Sequence, residues 1–140
     1  MSKAAIVYWS STGNTEAMAN AVYAGALEAG VEATLFTVDE FSADQVDSFD
    51  AIAFGCPAMG AEVLEEDEFE PMFASCEEKL SGKRVGLFGS YGWGDGEWMR
   101  TWEDEAKGAG AVLAADCVIV NGAPDDEGEA NCKALGAALV

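Results

Sequence analysis

An α/β fold built on a parallel sheet is predicted by short apolar runs at 4–8, 51–55 and 84–89, the last continuously apolar after Arg84, separated by stretches of helical periodicity. Parallel strands joined by helices are buried on both faces, so they read as uninterrupted apolar segments rather than as alternating ones. A third feature agrees with this. The strands at 4–8, 51–55 and 84–89 each run into a loop rich in small, glycine or hydroxyl-bearing residues. Ligands of open parallel sheets bind beyond the carboxyl ends of the strands, where those loops lie.

The first strand is placed at 4–8, and a helix at 15–29 follows it, with Met18, Ala19, Val22 and Ala26 at helical spacing and Gly30 closing it. A second strand is predicted at 33–38, a polar stretch at 39–47, and a third strand at 51–55. Phe69, Met72, Phe73, Cys76 and Leu80 form one apolar stripe of a helix over 66–80, ended by Ser81-Gly82. The fourth strand spans 84–89, a helix 97–107, the fifth strand 111–120 with a polar break at Asp116, and a closing helix 127–139. No repeat or linker interrupts the alternation, and 140 residues suit one domain, 1–140.

Twenty-six acidic residues against 7 basic ones give a formal charge of −19, so the surface repels nucleic acid and anionic membranes. No apolar run approaches the roughly 20 residues of a bilayer span. Met1-Ser2-Lys3 leads directly into the first strand without the pattern of a secretory signal, and a cytoplasmic protein is expected. Cys56, Cys76, Cys117 and Cys132 form no Cys-x-x-Cys pair, and the chain has no histidine, so a metal site is not expected. These cysteines read as small buried hydrophobes. The missing histidine also removes the usual general base of hydrolases.

Ser10-Ser11-Thr12-Gly13-Asn14-Thr15 gathers four hydroxyls and an amide at one strand-to-helix turn. A helix start offers unpaired N–H groups and a positive dipole end, which suits a phosphate. The alternative is an ordinary capped helix start, since serine and threonine are good caps. No lysine or arginine lies between Lys3 and Lys79, so an anion here is held by neutral donors. After the third strand Met59 precedes Gly60, and after the fourth Trp93 stands between Gly92 and Gly94, two side chains able to grip a flat ring. Met59-Gly60-Ala61-Glu62 has the pattern of a type II′ turn, whose first central position requires positive φ.

Together, the hydroxyl loop, Cys56-Pro57-Ala58-Met59-Gly60-Ala61-Glu62 and Gly89-Ser90-Tyr91-Gly92-Trp93-Gly94-Asp95-Gly96, followed by Glu97-Trp98-Met99, resemble the flavodoxins. The likeness is greatest to the short-chain flavodoxins of anaerobic bacteria and spans essentially the whole chain. It implies a doubly wound, five-stranded parallel sheet of order 2-1-3-4-5 with helices on both faces. It also implies noncovalent FMN and low-potential one-electron transfer, mainly between semiquinone and hydroquinone, with the ability to replace ferredoxin and no enzymatic activity of its own. By the same resemblance Ser10, Ser11, Thr12, Gly13, Asn14 and Thr15 wrap the FMN phosphate, and Met59 and Trp93 cover the two faces of the ring. Pro57, Ala58, Ala61, Ser90, Tyr91, Gly92 and Gly94 complete the site, and Glu62 accepts from the flavin N3–H. In the family the Gly60 carbonyl turns toward the flavin N5 when one electron is taken up, and Ala61 stands where aspartate or glycine is usual. Trp98 and Trp102, four apart on the next helix, are expected mainly to pack.

Six carboxylates crowd residues 62–70. At about 10 Å in water each raises the energy of an anionic reduced flavin by roughly 0.4 kcal/mol, and six by about 2.5 kcal/mol, or about 100 mV before salt screening. A low, salt-sensitive second potential is therefore expected. The same charges suit brief docking on basic surfaces of redox enzymes of the kind that accept ferredoxin, with the carrier a monomer. An FMN-dependent NAD(P)H:quinone reductase and a non-redox flavin-binding module share the fold and remain alternatives. A receiver domain does not fit, because Tyr8-Trp9-Ser10 and Gly55-Cys56 stand where its acidic cluster belongs.

Overall fold

The computed structural model describes residues 3–10, 13–59, 63–92, 94 and 96–139. Its elements run β1 (Lys3–Tyr8), α1 (Asn14–Glu28), β2 (Glu32–Thr37), β3 (Ala51–Gly55), α2 (Phe69–Cys76), β4 (Arg84–Tyr91), α3 (Glu97–Gly108), β5 (Val112–Leu113), β6 (Val118–Asn121) and α4 (Asp126–Ala137). Every strand pairing is parallel, in the order β2-β1-β3-β4-β5, and β6 pairs with β4 farther along the same strand. The fifth strand is thus two segments beside β4, and Asp116 falls in the break between them.

Both faces of the sheet are covered, as continuous apolar strands require. Along β1, Ala4, Ile6 and Tyr8 face one core with Ala51, Ala53 and Phe88, under α1 and α4. Ala5 and Val7 face the other core with Ile52, Phe54, Val85 and Leu87, under α2 and α3. The stripe read from sequence, Phe69, Met72, Phe73, Cys76 and Leu80, lies wholly in this second core, where Phe54 and Phe73 meet edge to face at 5.0 Å between ring centroids.

Two departures from the sequence reading have local causes. The helix predicted from residue 66 begins at Phe69, because the Glu65 carboxylate takes the backbone N–H groups of Asp67, Glu68 and Phe69 and holds the preceding residues in turns. The polar stretch 39–47 is not featureless. It holds 3₁₀ turns at Val38–Glu40 and Ala43–Ser48, each opened by a capping box, Thr37 with Glu40 and Ser42 with Gln45. Those Thr-x-x-Glu and Ser-x-x-Gln spacings were available in the sequence.

After α2 the chain makes a 3₁₀ turn, Glu77–Lys79, where Glu77 faces Glu105 of α3. Burial, then the hydrogen bond and charge of Glu105, push the Glu77 carboxyl from its ordinary 4.5 up to about 7. A raised carboxyl pKa means that the folded chain keeps a proton the unfolded chain has lost. The stabilisation is therefore full below pH about 4.5 and disappears as pH rises through about 7. Stability is expected to fall by about 1 kcal/mol across that window, after allowance for solvent screening of this half-buried group. Thermal unfolding at pH 5 and pH 7.5 should show the fall in the native chain and lose it in Glu77→Gln.

Candidate functional site

Loops after β1, β3, β4 and β6 converge on one edge of the sheet. The backbone N–H of Trp9 donates to the Gly55 carbonyl at 3.0 Å, tying the first loop to the end of β3. Ser10 then turns the chain by accepting the Gly13 N–H on its Oγ at 3.1 Å. The N-cap of α1 is Gly13 itself, in the left-handed region at φ 95°, with no side chain of its own to cap the helix. A Cβ here would be strained and would meet nothing within 4 Å, so the residue is small for backbone reasons and the helix end is left open.

Thr15, in the first turn of α1, is buried, and its hydroxyl hydrogen-bonds that of Ser90 at 3.3 Å. This pair fixes the helix start against the end of β4. β4 continues past its predicted end at residue 89 to Tyr91, whose carbonyl accepts the Gly122 N–H at 2.9 Å. The Ser90 carbonyl accepts the Ala58 N–H at 3.0 Å, so the second loop is laced to the same strand. Farther on, Met59 and Val63 exchange two backbone bonds, 2.9 and 3.1 Å, and form an antiparallel bridge. The bridge closes on Val63, one residue beyond the four-residue turn read from sequence, and so encloses residues 60–62.

Between these loops lies a cleft of about 210 Å³, floored by Ser10, Asn14, Thr15 and Ser90 and walled by Pro57, Ala58, Met59, Tyr91, Gly92 and Gly122. Ten of the seventeen residues assigned from sequence meet there or at its helix end: Ser10, Gly13, Asn14, Thr15, Pro57, Ala58, Met59, Ser90, Tyr91 and Gly92. Gly94, exposed and at φ 84°, is not part of the lining. Ser11, Thr12, Gly60, Ala61, Glu62 and Trp93 lie outside the described residues. Gly122 was not assigned from sequence, where the Asn121-Gly122 turn had no fixed role. The Asn-Gly dipeptide, a turn signal, was what the sequence offered, and Gly122 takes a positive φ of 74° there.

The chemistry of the lining fits a phosphorylated flat ring. In a chain with 26 acidic residues, none of the described side chains that line the cleft is charged. Hydroxyls and an amide surround the open start of α1, and methionine, proline, alanine and tyrosine supply apolar contact next to them. A neighbouring cleft of about 280 Å³ on the far side of Ser10 is bordered instead by Glu16, Asp39 and Glu68. There Tyr8 Oη donates to Glu16 at 3.3 Å and Trp9 Nε1 to Glu68 at 3.2 Å, so an anion would meet carboxylates.

Trp98 does more than pack. Its Nε1–H donates to the Cys56 carbonyl at 3.2 Å, and its ring lies 5.6 Å from that of Tyr91. Trp102 is a core residue, edge-on to Phe69 and Phe73. Cys56, Cys76 and Cys132 are buried free thiols, and burial pushes Cys56 and Cys132 up to about 12, so they act as apolar filling. Among the described residues no group of three or more potential ligands could hold a metal ion. No described helix is long and apolar enough to cross a membrane.

Comparison with known proteins agrees with this geometry. The family model described as Flavodoxin matches residues 6–136. The chain is 50% identical over 133 residues to the flavodoxin of Megasphaera elsdenii, covering 95% of each chain. It is 47% identical over 131 residues to that of Clostridium beijerinckii, covering 94% of each. The solution structure of two-electron reduced Megasphaera elsdenii flavodoxin superimposes with a TM-score of 0.90 at 48% identity, over 97% of both chains.

Proposed function

This chain belongs to the flavodoxin family, and from that membership we propose that the cleft between the β1, β3, β4 and β6 loops is its FMN site. The protein is an FMN-binding, low-potential electron carrier and not an enzyme. When bound, FMN supplies a ring that accepts and releases single electrons. The chain's own residues determine where that ring sits and what surrounds it.

The observation that carries the site assignment is a cleft at the start of α1 whose described lining is uncharged and rich in hydroxyls, in a chain otherwise crowded with carboxylates. The first-turn N–H groups of α1 face a phosphate with the dipole behind them, and the Ser10 and Thr15 hydroxyls add donors. Ser11 and Thr12 belong to the same loop. Pro57, Ala58 and Tyr91 exclude water from the ring, Met59 lies against one face and Trp93 against the other. Gly60, Ala61, Glu62, Gly92 and Gly94 complete the surround. With no cationic side chain in the phosphate loop, no full positive charge there stabilises the reduced, more negative state.

A phosphate anchor of this kind distinguishes FMN from riboflavin. Apo-protein titrated with each, followed by quenching of flavin fluorescence, is expected to bind FMN at least about 100-fold more tightly, since charge-assisted bonds to several N–H groups amount to about 3 kcal/mol or more. Equal affinities would rule the assignment out. We further assign the 140 residues to one domain, acting as a monomer in the cytoplasm, where the unpaired thiols suit a reducing environment. Its partners are redox enzymes with basic docking surfaces of the ferredoxin-accepting type. Exposed Glu66, Asp67 and Glu70 contribute to that recognition, whereas Glu65 is buried and is not part of the solvated charge.

A further inference from the structure

We propose that Glu65 is a positioning residue for the loop after β3: its carboxylate fixes where Cys56, Pro57, Ala58, Met59 and Val63 stand against the flavin. Besides Thr15 and Ser90 in the cleft, Glu65 is the buried polar residue among those described, at 6% exposure. Its Oε1 accepts from the N–H groups of Glu68 and Phe69, both at 2.7 Å, and its Oε2 from that of Asp67 at 2.9 Å. Burial alone would raise this carboxyl's pKa, but the three N–H donors outweigh burial and hold it below the ordinary 4.5. A buried charge in so acidic a chain is retained only where such donors compensate it.

The same residue closes the loop. The Glu65 N–H donates to Cys56 Sγ at 3.4 Å, while the Cys56 N–H is tied to the Phe88 carbonyl at 3.1 Å and its carbonyl to Trp98 Nε1 at 3.2 Å. Between these ends the Met59–Val63 bridge forms a second rung. The loop is therefore held at Cys56 by the sheet and at Glu65 by the start of α2. The N-cap position of α2, Glu68, makes no capping bond with its own side chain. The cap comes from the loop instead, which makes the helix an anchor for the strand-side residues Met59 and Val63.

This inference rests on FMN lying against that loop, so the test includes a variant of the loop itself. Glu65→Asp keeps the charge but shortens the reach by one carbon. It is expected to weaken FMN binding about tenfold, the worth of one charge-assisted bond, and to shift the first midpoint potential by about 59 mV, the equivalent of a tenfold change in a one-electron equilibrium. Glu65→Gln should do the same or more. Exposed Glu66→Gln, which removes a neighbouring charge and no cap, should leave FMN affinity within about twofold and the first midpoint nearly unmoved, its effect falling on the second, where the anionic reduced flavin forms. Thermal unfolding of each apo-protein shows which variants fold, and if Glu65→Gln does not, Glu65→Asp alone decides. Wild-type affinity and potentials in Glu65→Asp, or identical shifts in Glu65→Gln and Glu66→Gln, would overturn the positioning role. In parallel, Met59→Ala should weaken FMN binding. If it does so while Glu65→Asp does not, the positioning role fails alone, and if it does not, the site assignment fails and the positioning role with it.

Discussion

Gly89→Ala is expected to weaken FMN binding by about 100-fold and to cost about 2–3 kcal/mol of stability. Gly89 is buried in β4, opposite Ile119 of β6. A Cβ at this position would run into the Cys56 carbonyl oxygen and press on the Trp98 ring at 3.2 Å. Neither neighbour yields easily: the carbonyl is backbone, and Trp98 Nε1 is bonded to it. Relief comes only by moving Cys56, and with it Pro57, Ala58 and Met59 into the cleft. Calorimetric unfolding of the apo-protein and FMN titration measure the two effects. Gly108→Ala, at the exposed end of α3 with open space around it, is the control and should bind FMN normally. Wild-type FMN affinity in Gly89→Ala would contradict the tethering of this loop to β4.

Gly60→Val is expected to lower the first midpoint potential by about 40–90 mV while changing FMN affinity of the oxidised protein much less. The resemblance to flavodoxins implies that the Gly60 carbonyl donates no help to the oxidised ring and accepts a hydrogen bond only after one electron has been taken up. A bond made in one state and not the other shifts the equilibrium between them, whereas one made in both does not. Losing it amounts to about 1–2 kcal/mol, which converts to the stated shift for one electron. The Met59–Val63 bridge holds the flanks of this turn at 2.9 and 3.1 Å, so a β-branched residue cannot be accommodated by sliding the loop. Equal first potentials in the variant and the native protein, by spectroelectrochemical titration, would exclude this role for Gly60.

The fold was legible because a buried parallel strand needs apolar residues at every position. The runs at 4–8, 51–55 and 85–89 satisfied that, and all three belong to central strands of the sheet. The edge was read less well. β5 and β6 are short and half-exposed, so the sequence reads as one strand with a polar interruption. The start of α2 escaped because periodicity tracks which side chains are buried and not which N–H groups have already been claimed, here by Glu65. Within the site, the hydroxyl loop was readable from its residue types at a strand-to-helix turn, whereas the roles given to the small-residue loops came from the resemblance to flavodoxins. Trp98 was not read as a tether, since its indole N–H meets Cys56 across 42 positions of sequence. Glu65 looked like one more solvated carboxylate in an acidic run. Only the three-dimensional closure of 56–69 distinguishes it from Glu66 beside it.

The most direct measurement is reconstitution of the apo-protein with FMN followed by stepwise reduction under anaerobic conditions, monitored by visible absorbance. A flavin seated between Met59 and Trp93 with its phosphate at the start of α1 gives one FMN per chain and two resolved one-electron steps, the second at low potential. A chain that takes up no FMN, or one whose bound FMN is reduced in a single unresolved two-electron step, would contradict the assignment of this cleft to one-electron transfer.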